Sequence, residues 1–346
     1  MPQQVSLFEN SKDGQIGGFF KGGGLVARLG GKIQLSHSYD DIISLENLCL
    51  AWSEFIVGKK KKVDVVEFDR QLMDNIVELH DALVNPAPRG MQGRPGYNHG
   101  GYESFYINDP KRRHIHKASV RDRLLHHAIY RILYPFFDKT FIADSYSCRN
   151  EKGTHKAIGQ FRQMAFRVSR NHTRTCWVLK CDIRKFFASI DHEILFTILR
   201  EYIPDQDIIW LLRIIISSFH SGETLGIGLP LGNLTSQLLA NVYMNRFDQW
   251  VKHSLKAKNY IRYADDFVFL SDSKAWLTSI ILPINEFLES NLKLTLHPNK
   301  LFLKTMASGV DFLGWVNFPD HRILRNQTRR RMFQKIKQSP TDSTFQ

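Results

Sequence analysis

Apolar residues recur at helical spacing through "DIISLENLCLAWSEFIVG" and again through "FDRQLMDNIVELHDALV", which predicts two helices parted by the lysine run at residues 59–62. The stretch that follows, "NPAPRGMQGRPGYNHGGY" at residues 85–102, is dense in Pro and Gly and predicts a loop at a lobe boundary. Next, "ESFYINDPKRRHIHKA" predicts two strands around an Asn-Asp-Pro turn, and "SVRDRLLHHAIYRILYPFFDKTF" an amphipathic helix that Pro135 ends or bends. A further helix is expected between 156 and 170, and "CWVLKCDI" reads as a short, mostly apolar strand. Helices near 191–202, 205–219, 234–254 and 278–291 follow, with a hairpin within 260–271 between the last two and short strands to Phe318. No internal repeat is visible. Helices interspersed with antiparallel strands predict an α+β fold rather than a doubly wound sheet.

Composition narrows this picture. In 346 residues, 47 Lys and Arg stand against 34 acidic residues, a formal charge of +13 spread along the chain, which favours a polyanionic partner such as nucleic acid. Charge alone fits a basic soluble protein equally well. The four cysteines, Cys49, Cys148, Cys176 and Cys181, form no CxxC pair, so reduced thiols in a cytoplasmic setting are expected, without zinc. No apolar run approaches the roughly 18 residues of a membrane span, and "MPQQVSLFEN" lacks the form of a secretory signal. The glycine-rich "GQIGGFFKGGGLVARLGG" lacks the strand, GxxxxGK[ST] and helix of a phosphate loop.

The candidate chemistry lies in "YIRYADDFVFLS", residues 260–271, where Asp265 and Asp266 sit at a hairpin tip, with Ala264, between the strand-like runs Tyr260–Tyr263 and Phe267–Leu270. Two adjacent aspartates by themselves suit a solvated turn. A second strand end, "WVLKCDIRKFF", carries Asp182 directly after apolar residues. Carboxylates gathered from two strand ends repel, and divalent cations about 3.5–4 Å apart relieve that repulsion while activating a hydroxyl and steadying a pyrophosphate. His114/His116 and His126/His127 lack a third metal ligand at any telling spacing, and no Ser-His-Asp arrangement is present.

"YADD" inside an apolar hairpin, preceded by "DIRKFF", resembles the motifs of reverse transcriptases. The resemblance runs from about residue 100 to 318, through "KRRHIHKASVRDRLLHHAIYRIL", "DSYSCRNEKGTHKAI", "GLPLGNLTSQLLANVYMNRFD", "LKLTLHPNKLFL" and "GVDFLGW", in the family's order. It implies a right-hand polymerase with an N-terminal segment at 1–60, fingers at 61–175, a palm at 176–318 and a short basic thumb beginning at 319–346. It makes Asp182 and Asp265 the main metal ligands, with Ile183 in the metal set and Asp266 a less direct third carboxylate. Two Mg²⁺ ions are expected, with Mn²⁺ as a substitute. Phe187 corresponds to an aromatic that blocks a ribose 2′-hydroxyl, though it suits a core position too. Lys111 and Arg113 correspond to residues that meet the incoming triphosphate, and Lys300 to a lysine suited to protonating pyrophosphate. Arg149 and the run Arg329, Arg330 and Arg331 are expected to contact nucleic acid.

The main departure is "LGNLTSQ", residues 231–237, where common reverse transcriptases have Gln-Gly-x-x-x-Ser-Pro. Leu231 cannot hydrogen-bond a base pair or sugar, so control of the incoming nucleotide should weaken. Leu231, Gly232 and Gln237 together resemble the reverse transcriptases of diversity-generating retroelements, which copy a template RNA with errors at adenines. That likeness implies template RNA, a DNA or RNA primer, deoxynucleotides and a small basic accessory protein, in a monomer or an oligomer. The alternatives are a defence, retron or group II intron-like reverse transcriptase, or a non-catalytic RNA-binding scaffold.

Overall fold

The computed structural model describes residues 27–29, 32–84, 96–108, 112–222 and 224–338. Most of the glycine-rich stretch, most of the Pro/Gly-rich loop and Lys111 lie outside these residues. In chain order the elements begin with β1 (Ala27–Leu29), β2 (Lys32–Gln34), α1 (Tyr39–Ile43), α2 (Leu45–Phe55), α3 (Val63–Arg70) and α4 (Leu72–Val84). They continue through β3 (Tyr102–Ile107), β4 (Arg113–Ala118), α5 (Val120–Asp138), α6 (Thr154–Val168), β5 (Trp177–Asp182), α7 (His192–Tyr202), α8 (Gln206–Ser217) and α9 (Leu234–His253). The last group is β6 (Tyr260–Tyr263), β7 (Asp266–Ser271), α10 (Lys274–Ser279), α11 (Ile281–Leu292), β8 (Phe302–Thr305), β9 (Val310–Phe312), β10 (Trp315–Asn317), β11 (Arg322–Leu324) and α12 (Asn326–Gln338). Helices and antiparallel sheets are mixed, as expected for α+β. Among the described residues no helix is long and apolar enough to cross a membrane.

The chain forms two compact units, one of Met1–Phe141, Lys185–Phe247 and Leu292–Leu294, the other of Ile142–Arg184, Asp248–Asn291 and Thr295–Gln346. In the first, α2 packs on α5, and Leu48, Ala51 and Phe55 of the one and Leu124, Leu125 and Ala128 of the other are all buried. Asn47 donates from α2 to the Ala128 carbonyl at 3.1 Å, and Arg131 pairs with Glu54. Ser119 opens α5 as its N-cap, accepting from the Asp122 N–H at 3.1 Å, while buried Asp122 accepts from Tyr97 Oη (2.8 Å) and the Gly100 N–H (3.0 Å).

The second unit is built on a four-stranded antiparallel sheet in the order β6-β7-β5-β8. Residues two apart share a face, so Val178, Ile261, Val268 and Leu270 form one apolar side, and α6 covers it with Ala157, Phe161, Met164 and Ala165. Full burial of each large apolar side chain contributes roughly 1.5–3 kcal/mol. The same alternation carries Lys180 and Asp182 onto this face beyond Val178, where the apolar pattern ends in charge. Here the sheet stops being core and becomes a candidate site.

The first expected helix is divided into α1 and α2 at Ser44, whose ψ of 141° leaves the helical region. The apolar run at 68–84 is broken at Gln71, whose φ of −123° and ψ of 42° leave the helical region, and the Asn75 side chain donates to the freed Phe68 carbonyl at 2.9 Å. Conversely, α5 runs through Pro135 to Asp138: burial of Leu133, Tyr134, Phe136 and Phe137 offsets the backbone hydrogen bond a proline cannot make.

Candidate active site

Tyr263 pairs with Asp266 across the β6–β7 hairpin, so the tip is the two-residue turn Ala264–Asp265 and Asp266 is already in the strand. Such a tight turn requires positive φ, carried here by Ala264 at 56°. Its support comes from Arg262, which is fully buried and donates from Nη1 to the Ala264 carbonyl at 3.0 Å. The same guanidinium is held by Asp248, through Nε to Oδ1 at 2.8 Å and Nη2 to Oδ2 at 2.7 Å, and by Ser145 Oγ at 3.1 Å. Tyr260 Oη donates to Asp248 Oδ1 at 2.7 Å. Both charges are sealed from water, and this bidentate pairing compensates their burial.

Asp266 lies directly opposite Asp182 in the β5–β7 register, with Asp265 next to it in the turn. Like charges placed opposite each other on neighbouring strands destabilise a sheet. Burial first, then the charges of Asp266 and Asp182, push the Asp265 carboxyl up to about 6, with Lys300 pulling weakly the other way. Asp266 is likewise raised, chiefly by burial and then by Asp182, against Lys180. Its Oδ1 is buried without a hydrogen bond, and Lys180 Nζ lies 3.5 Å away.

Lys300 Nζ donates to Asp182 Oδ1 at 2.7 Å. Backbone pairing delivers it there: the His297 N–H donates to the Asp182 carbonyl at 2.7 Å, and Ile183 bridges Leu296, so the segment before the Pro298–Lys300 turn is laid along the end of β5. Ile183 is buried, and its side chain has no ligand atom to offer. Asp182, Asp265, Asp266, Lys300 and Ile183 thus fall within one unit.

The other sequence-predicted residues are placed as follows. Arg149, in the same unit, donates from Nη1 to the carbonyls of Ile142 (2.7 Å) and Ser145 (3.0 Å), tying the loop that borders β6. Arg329 and Arg330 are exposed on α12, and Arg331 beside them is half-buried. In the first unit, Phe187 sits half-buried on the Phe186–Ser189 turn against the buried Phe186 ring, 5.3 Å between centroids. Arg113 begins β4, and Gln237 lies half-buried in the first turn of α9. The Leu231 carbonyl accepts from the His116 N–H at 2.9 Å, so its loop is fastened to β4 by backbone while its side chain offers no hydrogen bond. Gly232 has φ of 114°, and a Cβ there would meet Ile115 Cγ2 at 2.9 Å. Gly232→Ala is accordingly expected to cost roughly 1–3 kcal/mol, read as a lowered denaturant midpoint; an unchanged midpoint would show that the loop can relax.

Lys180, Arg262 and Asp248 are neighbours of the candidate site that motif reading passes over. Two-residue alternation along "WVLKCD" places Lys180 on the face of Asp182, and that signal was available in the sequence. The partnership of Arg262 with Asp248 is long-range in origin and has no spacing signature.

Among the described residues no three His, Cys, Asp or Glu side chains are already gathered as a metal-holding group. The donor chemistry nonetheless fits a hard divalent cation: three carboxylates, one with an orphaned buried oxygen and one raised well above its ordinary range by burial and by the other two. Lys300 and Lys180 supply part of that charge.

Comparison with known proteins agrees with this geometry. A profile of the family described as reverse transcriptase (RNA-dependent DNA polymerase) matches residues 108–316, more than half of the chain. Protein YkfC of Escherichia coli (strain K12) is 28% identical over 255 residues, 63% of this chain and 65% of its own. The putative COX1/OXI3 intron 2 protein of Saccharomyces cerevisiae is 21% identical over 280 residues, 62% of this chain and 30% of its own. The group II intron-encoded protein LtrA of Lactococcus lactis subsp. cremoris is 22% identical over 293 residues, 65% of this chain and 47% of its own. The chain spans less than two thirds of the length of each of these relatives. The profile covers β4 to β9 and every candidate carboxylate, and the chain belongs to the reverse transcriptase family, carrying its RNA-directed DNA polymerase domain.

Proposed function

We propose that the protein copies a template RNA into cDNA by adding deoxynucleotides to a primer 3′-hydroxyl. The observation that carries this reading is the carboxylate cluster of Asp182, Asp265 and Asp266 at the sheet end of a reverse transcriptase domain. Asp182 and Asp265, with the Ile183 backbone beside them, would hold two Mg²⁺ ions, or Mn²⁺ in their place, and Asp266 would add negative charge from the next position. Once bound, such cations lower the pKa of the attacking hydroxyl and neutralise the leaving pyrophosphate. Lys300 supplies the proton that pyrophosphate takes up on leaving, and Lys111 and Arg113 bind the triphosphate, for which a forked guanidinium is suited. Phe187 excludes a ribose 2′-hydroxyl by bulk, and Arg149 with Arg329, Arg330 and Arg331 contacts the nucleic-acid backbone. In this reading the chain has fingers at 61–175, a palm at 176–318 and the start of a thumb from 319.

The finer reading is an error-prone enzyme of a diversity-generating retroelement, working with a small basic accessory protein. Its support is the Leu231…Gln237 pattern, together with a Leu231 whose carbonyl is taken by the His116 N–H and whose side chain has no donor or acceptor for the nascent base pair. A second reading, an intron-type reverse transcriptase, is favoured by relatives whose names place them in introns. Sequencing the cDNA made on a primed RNA template separates the two. Errors concentrated opposite adenine support the first; faithful copying supports the second. Leu231→Gln is expected to lower misincorporation opposite adenine by about tenfold, the order of one added hydrogen bond to the base pair. An identical error spectrum would remove Leu231 from the fidelity argument.

A further inference from the structure

Residues 154–175, comprising α6 and the turn after it, contain five Lys or Arg and no acidic residue. The inner face of α6 is buried through Ala157, Ile158, Phe161, Met164 and Ala165, so Arg162, Phe166 and Arg167 are left on the outside. Phe166 is 48% exposed. Arg170, Asn171 and His172 then turn the chain with successive positive φ values of 48°, 59° and 63°. The backbone of this turn is satisfied internally: the Asn171 N–H donates to the Phe166 carbonyl (3.0 Å), that of His172 to Ser169 Oγ (3.0 Å) and that of Arg174 to the Ser169 carbonyl (2.8 Å). His172 Nδ1 lies 3.4 Å from Ser169 Oγ, whereas the Arg162, Arg167 and Arg170 guanidinium groups are not used by this turn and can meet an external partner.

They line an open recess of about 790 Å³, walled by Arg162, Phe166, Arg167, Arg170 and His172 over buried Met306. The His172 ring stands edge-on to Phe166 with centroids 5.3 Å apart. Among the described residues none of the three arginines pairs with an acid, and the recess takes no part in the carboxylate site.

We infer that this recess binds single-stranded RNA, a base lying against Phe166 and neighbouring phosphates on Arg162, Arg167 and Arg170. Guanidinium groups without competing carboxylates match phosphodiesters, and an exposed flat ring stacks on any base. A carboxylate-bearing protein segment would use the arginines and leave the ring idle. The assignment to RNA rests on the proposed RNA-copying function: a template longer than the catalytic site has unpaired stretches that require holding.

The test uses the full chain, an Arg162→Glu/Arg170→Glu variant and a Phe166→Ala variant, all exposed positions. Fluorescence anisotropy with a labelled oligouridylate of roughly 20 nucleotides, longer than typical single-strand sites, is recorded across a salt series. Extension on a short RNA template, covered by its primer except at the copied end, runs in parallel. The charge reversal is expected to weaken binding at least about tenfold and to flatten the salt dependence by about 1–2 in log–log slope. Phe166→Ala should weaken it roughly tenfold. Short-template extension should be unchanged in both. Equal affinity and slope in all three proteins would overturn the inference, as would wild-type preference for DNA of matching sequence. Wild-type protein that binds the RNA through the recess yet makes no cDNA would count against the polymerase reading alone.

Discussion

Asp265→Asn is expected to abolish cDNA synthesis, by about a thousandfold or more, and at the same time to make the metal-free protein more stable. The stability gain follows from the cost of holding this carboxylate charged. Its lift from 3.8 to about 6 opposes the charged folded form by on the order of 3 kcal/mol. Because the folded pKa is raised, the cost is complete above about pH 6. Between that value and 3.8 the folded state takes up a proton before the unfolded state does, and the cost shrinks; below 3.8 it is gone. Asparagine removes it at every pH. Melting curves without divalent ions should therefore place the variant above wild type at pH 8, with a smaller gap at pH 5. Saturating Mg²⁺ should raise wild type and leave the variant nearly still, since only a ligand of the folded state shifts the melt. A variant less stable than wild type at pH 8 would mean that Asp265 serves structure instead of charge.

The second large effect concerns the pair beneath the turn. Arg262→Met leaves Asp248 buried without its cation, and Asp248→Leu strands Arg262; each is expected to cost about 3–5 kcal/mol. The double variant Arg262→Met/Asp248→Leu should recover most of that loss, because burying a neutral pair carries no such desolvation penalty. It lacks the Nη1 hydrogen bond to the Ala264 carbonyl, however, so the turn bearing Asp265 loses a strut. Restored stability with turnover still about ten- to a hundredfold low, and RNA affinity unchanged, is the expected combination. Full recovery of turnover would reduce Arg262 to a packing residue.

How far the sequence alone reached can be seen in these same residues. Hairpin geometry located β6 to the residue, and the helical spacing near 191–202 and 234–254 closely matches α7 and α9. Asp182, Asp265, Asp266 and Lys300 were legible because local motifs carry them, and the sheet register brings them to one end. Asp266, expected at the tip, lies in the strand because the turn needs only two residues. The break at Gln71 was not legible, since it depends on a side chain capping a carbonyl, and of the two outcomes expected at Pro135, an end or a bend, the structure rules out the end, through tertiary burial overriding a helix breaker. Arg262 was missed for a related reason. An arginine in a strand reads as solvent-facing until Asp248, fourteen residues earlier and on a helix, is seen to meet it.

The central claim is tested most directly by deoxynucleotide incorporation onto a DNA primer annealed to an RNA template, with wild type beside Asp182→Asn. Template-length cDNA from wild type in Mg²⁺ or Mn²⁺, and none from the variant, is the predicted result. No incorporation by wild type with either ion, or undiminished incorporation by the variant, would contradict the account.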